Sequence, residues 1–233
     1  MDYITFNSKF TQKIAIEKYH LKNIKDGIIY NGIPFKKPSE IPEITSAEHL
    51  AFLRNKFVIG TSCRFNAFKR IDRLIDAFSE FAKGKPDVVL LLVGDGVMKQ
   101  KLEERVNQLN INSMVLFAGF QSNVQGYQKL MNICVFPSED EPFGLVAVET
   151  LAMGKPTIVF KDAGGMLEIL INDFPDDIVA DIPELVKKLN YYYESKNTVN
   201  NILAHKRELI ASRFDIKSME EAFFAEYVKL LTS

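Results

Sequence analysis

The chain has 233 residues, enough for one large domain or two small ones, and its 47% apolar and 25% charged content is that of an ordinary globular protein able to bury a core without staples. A formal net charge of -1 with no block of like charge gives no reason to expect nucleic acid or an acidic membrane as partner. Cys63 and Cys134 stand in no CxxC or CxxH spacing, which argues against zinc and against a disulfide framework. Met1-Asp2-Tyr3-Ile4 has no basic region followed by an apolar stretch, so no signal peptide is expected. The apolar run Val88 to Val93 is far too short to span a bilayer. These features fit a cytoplasmic, reducing setting, with peripheral contact at the inner membrane face left open.

Taken in chain order, Ser8 is suited to cap a helix from Lys9 to Tyr19. Gly27 to Tyr30 reads as a strand ended by the turn signal Asn31-Gly32. Pro34 to Ser46 is loop-like, and Ala47 to Leu53 forms a short helix. A regular alternation then begins. Lys56 to Gly60 reads as a buried strand, and Ile71, Leu74, Ile75, Phe78 and Ala82 recur at helical spacing. Val88 to Val93 is a strand covered on both faces, followed by a helix over Val97 to Leu109. The strand Val115 to Phe117, the helix Val124 to Met131 and the strand Ile133 to Phe136 come next. A helix over Gly144 to Met153, the strand Thr157 to Val159, a helix near Met166 to Leu170 and the strand Asp177 to Val179 close the series. Three helices end the chain: Ile182 to Glu194, Thr198 to Ser212 and Ile216 to Leu231. The fold class that follows is α/β, a Rossmann-like parallel sheet with helices on both faces and extra C-terminal helices. In such a sheet a ligand belongs at the carboxyl ends of the strands.

The strongest chemical signal is Ser138 to Glu149, which follows one strand and opens a helix. Pro142 holds Glu141 out of helical geometry, and Gly144 leaves the amides of the helix start uncovered, a ready anion site. Glu149 falls about a turn and a half further on. One carboxylate before the helix and one inside it can grip two parts of a ligand with a phosphate between them, and a carboxylate that accepts two hydroxyls is a natural ribose clamp. The plainer alternative is a set of acids near a helix N-terminus. The second signal is Cys63 to Arg70, where Arg64 and Lys69 flank a loop and can neutralise a pyrophosphate; a solvated basic loop is the plainer reading. Gly94-Asp95-Gly96 permits a tight turn and close ligand approach, and Gly119-Phe120 is similar. Gly164-Gly165 with Glu168 is read as a turn and helix start in preference to a ligand cradle. His20, His49 and His205 are scattered without partners at telling spacings, and no metal site is expected.

The order of these features resembles the carboxyl-terminal, donor-binding half of the group 1, or family 4, glycosyltransferases of the two-Rossmann-domain (GT-B) type, which retain anomeric configuration. The residues that carry the likeness are Arg64, Lys69, Gly94-Asp95-Gly96, Pro137-Ser138, Glu141 with Glu149 in an E-x7-E pattern, and Gly164-Gly165 with Glu168. It extends from about Ser8 to Val179. The resemblance implies that Arg64 and Lys69 bind the donor diphosphate. It gives Glu149 the ribose and Glu141 the sugar hydroxyls, with amides around Phe143, Gly144, Leu145 and Val146 helping. Loops at Gly94, Gly96 and Phe120 would line the nucleotide. The donor would be a UDP-, GDP- or ADP-sugar, with no cofactor or metal. Departures are Cys63 before the Arg, Arg70 after the Lys, Thr150 after the second Glu, and Asn172 to Pro175 in place of a Gly-rich continuation.

The same resemblance implies one donor-binding domain over residues 1–233, with 1–25 as interdomain helix or linker and 215–233 as a helix that crosses back. Met219, Phe223, Tyr227 and Leu230 are its expected apolar stripe. The amino-terminal domain that holds a glycan or lipid-linked acceptor would be absent, leaving a shortened chain, a split enzyme or a remnant that is inactive alone. Two functions stay open: a hexosyltransferase half for polysaccharide or glycolipid synthesis, or a non-catalytic nucleotide-sugar-binding partner subunit. An epimerase-type doubly wound enzyme lacks the pocket residues it would need.

Overall fold

The computed structural model describes residues 3–21, 25–195 and 199–232. The chain runs β1 (Tyr3–Phe6), α1 (Lys9–Tyr19), β2 (Lys25–Ile28), α2 (Ala47–Leu53), β3 (Phe57–Ser62), α3 (Ile71–Phe81) and β4 (Val88–Val93). It continues α4 (Lys99–Gln108), β5 (Val115–Gly119), α5 (Val124–Leu130), β6 (Ile133–Phe136), α6 (Leu145–Ala152), β7 (Thr157–Phe160) and α7 (Leu167–Leu170). It ends β8 (Ile178–Val179), α8 (Ile182–Glu194), α9 (Val199–Ala211) and α10 (Ile216–Thr232).

Strands β3 to β8 form one six-stranded sheet in the order β5-β4-β3-β6-β7-β8, parallel at every pairing. Successive side chains of a strand point to opposite faces, and here both faces are covered. Val58, Val89, Leu91, Cys134, Phe136 and Val159 pack with residues of α5, α6 and α7 on one side. Ile59, Leu90, Leu92, Ile133, Val135 and Ile158 pack with α3, α4 and α8 on the other. That is why the sequence of β4 is a continuous apolar run. Strand order reverses between β3, which leads on to β4, and its other neighbour β6. The carboxyl ends of β3 and β6 therefore flank a topological switch point, where doubly wound sheets hold ligands.

Several elements differ from expectation. β1 has no counterpart in the sequence reading. β2 starts two residues earlier than Gly27 and stops before Tyr30, because its register is set by β1, with Thr5 opposite Gly27 and Phe6 opposite Ile28. Freed from the strand, Tyr30 stacks on Phe143 and meets Phe214 edge-on, with ring centroids 5.7 Å apart in each pair. Thr198, the expected start of the penultimate helix, lies outside the described residues, as do Met1 and Asp2. On α10, Met219, Phe223 and Leu230 turn partly inward, but Tyr227 is exposed, so the expected stripe loses one member.

Candidate functional site

The loops that leave β3, β4 and β5 are stitched together by main-chain hydrogen bonds. Cys63 N donates to Val93 O, Phe65 N to Asp95 O and Gly94 N to Gly119 O, at 2.9 to 3.0 Å. Gly94 has a φ of +138°, and a Cβ there would lie 1.9 Å from Cys63 O, so only glycine allows this approach. The result is a cleft of about 350 Å³ over the carboxyl ends of β3 and β4. Ser62, Cys63, Arg64, Gly94, Asp95, Phe120, Gln121, Val124, Val146 and Glu149 are among the residues lining it.

Of the residues singled out in the sequence, Arg64, Glu149, Gly94, Phe120 and Val146 share this cleft. Arg64 is exposed there and has no ion-pair partner among the described residues. Phe120 is 82% exposed, a bare ring at the rim. Glu149 is half-buried, and Gln128 Nε2 donates a 2.9 Å hydrogen bond to its Oε2. Burial raises the Glu149 carboxyl above its ordinary range, and the Gln128 bond opposes that rise.

Lys69 and Glu141 do not line the cleft. They form an ion pair with each other, each largely buried, and Lys69 Nζ also lies 5.1 Å from the centre of the Phe68 ring. Both are felt at Cys63, whose thiol burial pushes up to about 11, the Lys69 charge lowering it and the Glu141 charge raising it. The pair thus stands beside the cleft wall. Gly96 is also outside the lining; a Cβ on it would come within 2.6 Å of Phe65 O, so its place is loop packing. Phe143 is buried among Tyr30 and Phe214. Gly144, at φ +89°, begins the turn into α6, whose first amides lack intrahelical acceptors; Leu145 and Val146 follow it.

An ionic mesh braces this loop from outside. Arg70, itself left-handed at φ +47°, donates to Glu139 at 2.7 Å, and Arg73 donates to Asp162 at 2.9 Å. Glu139 N donates to Phe68 O and Asp140 N to Asp162 O, so the turns after β3, β6 and β7 are bound to one another.

Glu168 takes a role that the sequence reading did not assign. Its carboxylate accepts from Lys9 N at 3.1 Å and Phe10 N at 2.9 Å, at the start of α1, and from Tyr30 OH at 2.9 Å. Burial and the Glu168 charge push the Tyr30 phenol up to about 12. Ser8, which caps α1 as expected, also donates to Pro142 O at 2.6 Å. Gly164-Gly165 lets these chains meet, because a Cβ on Gly165 would lie 2.1 Å from Pro142 O. Gln128 is the residue that sequence reasoning passed over. Nothing in Val124 to Leu130 sets it apart from Gln125, and its burial shows only in the fold.

No group of three or more His, Cys, Asp or Glu among the described residues is placed to hold a metal ion. No helix among them is long and apolar enough to cross a membrane.

Comparison with known proteins adds a family. The model for glycosyl transferases group 1 matches residues 44–208. A Campylobacter jejuni protein named N-acetylgalactosamine-N,N'-diacetylbacillosaminyl-diphospho-undecaprenol 4-alpha-N-acetylgalactosaminyltransferase is 28% identical over 172 residues, 74% of this chain and 45% of that protein. The alpha-monoglucosyldiacylglycerol synthase of Acholeplasma laidlawii is 32% identical over 162 residues, covering 65% of this chain and 40% of that one. The chain thus spans less than half the length of these curated relatives. Among solved structures, Anabaena Alr3699/HepE in complex with UDP superposes with a TM-score of 0.80 at 24% identity, over 97% of this chain and 63% of its own.

Proposed function

This chain belongs to the group 1 glycosyl transferases, and from that premise we propose that it holds the donor, a nucleoside-diphosphate sugar, in the cleft at the carboxyl ends of β3 and β4. The observation that carries this reading is the meeting of Arg64, from the loop after β3, and Glu149, from α6, in one cleft beside the switch point. A free guanidinium takes a diphosphate bidentately, and a carboxylate accepts the ribose hydroxyls. The exposed Phe120 ring offers a face to the base. The amides of Gly144, Leu145 and Val146 at the start of α6 add an oriented positive end beside the phosphate.

As the glycosyl bond breaks, negative charge gathers on the departing diphosphate. Arg64 and the α6 N-terminus are already in place to stabilise it, without water having to reorganise. The Lys69–Glu141 pair supports a joint role: the cation meets the diphosphate and the carboxylate meets a sugar hydroxyl. The UDP named in the Anabaena structure favours a uridine nucleotide as the first donor to test.

The acceptor belongs to a second α/β unit in this proposal. β1 and β2 form a two-stranded parallel sheet apart from the main one, smaller than such sheets usually stand alone. This supports assigning residues 1–25 to the link with that unit and 215–233 to the helix that returns to it. The relatives' names favour a lipid-linked acceptor, hence work at the cytoplasmic membrane face in polysaccharide or glycolipid synthesis. A non-catalytic donor-binding subunit is the second reading, favoured by the same unaccompanied pair of strands.

Calorimetric titration with UDP, GDP and ADP tests the reading. One of the three is expected to bind. Arg64→Ala and Glu149→Ala should each weaken it about tenfold or more, with Glu141→Ala milder. Binding of none, or an unaffected Glu149→Ala, would sink the proposal. Transfer of sugar only after an amino-terminal α/β partner is added would separate a split enzyme from a binding subunit.

A further inference from the structure

We infer that Gln128 is a positioning residue for Glu149: its side-chain amide holds one carboxylate oxygen so that the other is presented to the ligand in the cleft. The inference rests on the nucleotide-binding reading of Glu149 given above. Gln128 sits on α5 and is fully buried. Its Nε2 donates to Glu149 Oε2 at 2.9 Å and to Ser62 Oγ at 2.9 Å. Ser62 ends β3 and Glu149 belongs to α6, and both line the cleft. Gln128 stands behind them and ties the strand end to the helix.

The orientation of this amide has a physical cost that needs a cause. Both hydrogens of Nε2 are used, while Oε1 is buried with no partner among the described residues. Turning the amide over would set Oε1 against a carboxylate. The charge on Glu149 therefore selects the orientation seen, even though it orphans a carbonyl. An apolar side chain of similar length would fill the same space but leave Glu149 Oε2 and Ser62 Oγ without this donor. The amide is explained by what it does for Glu149, not by what it does for the core.

Two consequences follow for the ligand. The carboxylate is held in one rotamer, with Oε2 engaged and Oε1 left for a hydroxyl. The donated hydrogen bond also favours the ionised form against the burial that disfavours it. The titratable or charged side chains sharing the cleft with Glu149 are Cys63, Arg64 and Asp95.

The test uses the full chain and Gln128→Met, which keeps the volume and removes the amide. Affinity for whichever of UDP, GDP and ADP binds tightest should fall about tenfold at neutral pH. The acid-side loss of affinity should move to higher pH than in the parent chain, because Glu149 then protonates more readily. Added to Glu149→Gln, the same change should have no further effect. An acid limb that stays put, or an equal loss of affinity in both backgrounds, overturns the inference and leaves the nucleotide reading intact. A parent chain that binds none of the three overturns both. If the methionine variant fails to fold, Gln128→Leu carries the same expectations.

Discussion

Glu149 is where binding and stability pull against each other. Its carboxyl is raised by burial, and the Gln128 bond lowers it only in part. Between the ordinary carboxyl range and this raised value the folded chain binds more protons than the unfolded chain, so stability declines as pH rises through that window. The buried Asp177 works in the same direction, burial outweighing the Tyr192 hydroxyl and the Lys188 and Arg207 charges around it. Glu149→Gln should therefore melt a few degrees higher than the parent at neutral pH, the advantage fading in acid as the parent's carboxyl protonates. Thermal melts across roughly pH 4 to 8 check this; a variant that melts lower throughout would mean the carboxylate holds the fold together. The same residues mark what single positions could tell in advance. Arg64, Gly94 and Glu149 stood out because a strand end, a glycine turn and a helix fix their placement. Lys69 and Glu141 stood out too, but sequence spacing does not say that two opposite charges from different turns will meet each other. Gln128 carries no motif at all, since its value lies in what its amide meets on the neighbouring helix and at the end of β3.

At the scale of elements, period and punctuation were enough for the regular middle of the chain. Val88–Val93, Ile133–Phe136 and Ile182–Glu194 are elements with the ends that their apolar runs and caps imply. The misses have a common cause, which is tertiary pairing. Tyr3–Phe6 is four residues of mixed character and becomes a strand only because Lys25–Ile28 lies beside it. Gly164-Gly165 is the turn and helix start that the sequence implies, and it is also where the start of α1, the loop at Pro142 and α7 are pressed together. Gly165 has no room for a side chain: its Cβ would be 2.1 Å from Pro142 O and 2.8 Å from Ser8 Oγ, and backbone cannot move aside as a flexible chain end could. Gly165→Ala should destabilise by about 1–3 kcal/mol, read from urea unfolding. Because the same strain pushes on the loop that carries Glu141, it should also loosen the Lys69–Glu141 pair. A fully stable Gly165→Ala would mean that the loop at Pro142 can withdraw from the turn at little cost.

Across the whole molecule, cohesion is unevenly shared. The sheet is sealed on both faces, and β3 and β4 are buried along their full length. α10 contributes no buried residue, and Phe224, Tyr227, Val228 and Leu231 lie open to solvent on it. Among the described residues, the main-chain bonds that tie α10 to the rest of the fold lie at its root. Ile33 N donates to Phe214 O and Ile216 N donates to Ile33 O, joining the segment after β2 to the helix start. Beyond that, Tyr3 reaches Glu226, and Gly32 N points to the Met219 sulfur at 3.2 Å. Local opening free energy tracks buried apolar contact, so amides in the distal half of α10 should exchange with solvent far faster than those of β3 and β4, which open only with the whole domain. Hydrogen exchange followed by mass spectrometry gives the comparison directly. If the exposed stripe is the seat of a second α/β unit, adding that unit should slow exchange in α10 and in β1 together, because one surface covers both. Protection of distal α10 equal to that of β4 in the chain alone would mean that the helix is held by more than its root and the Tyr3–Glu226 contact.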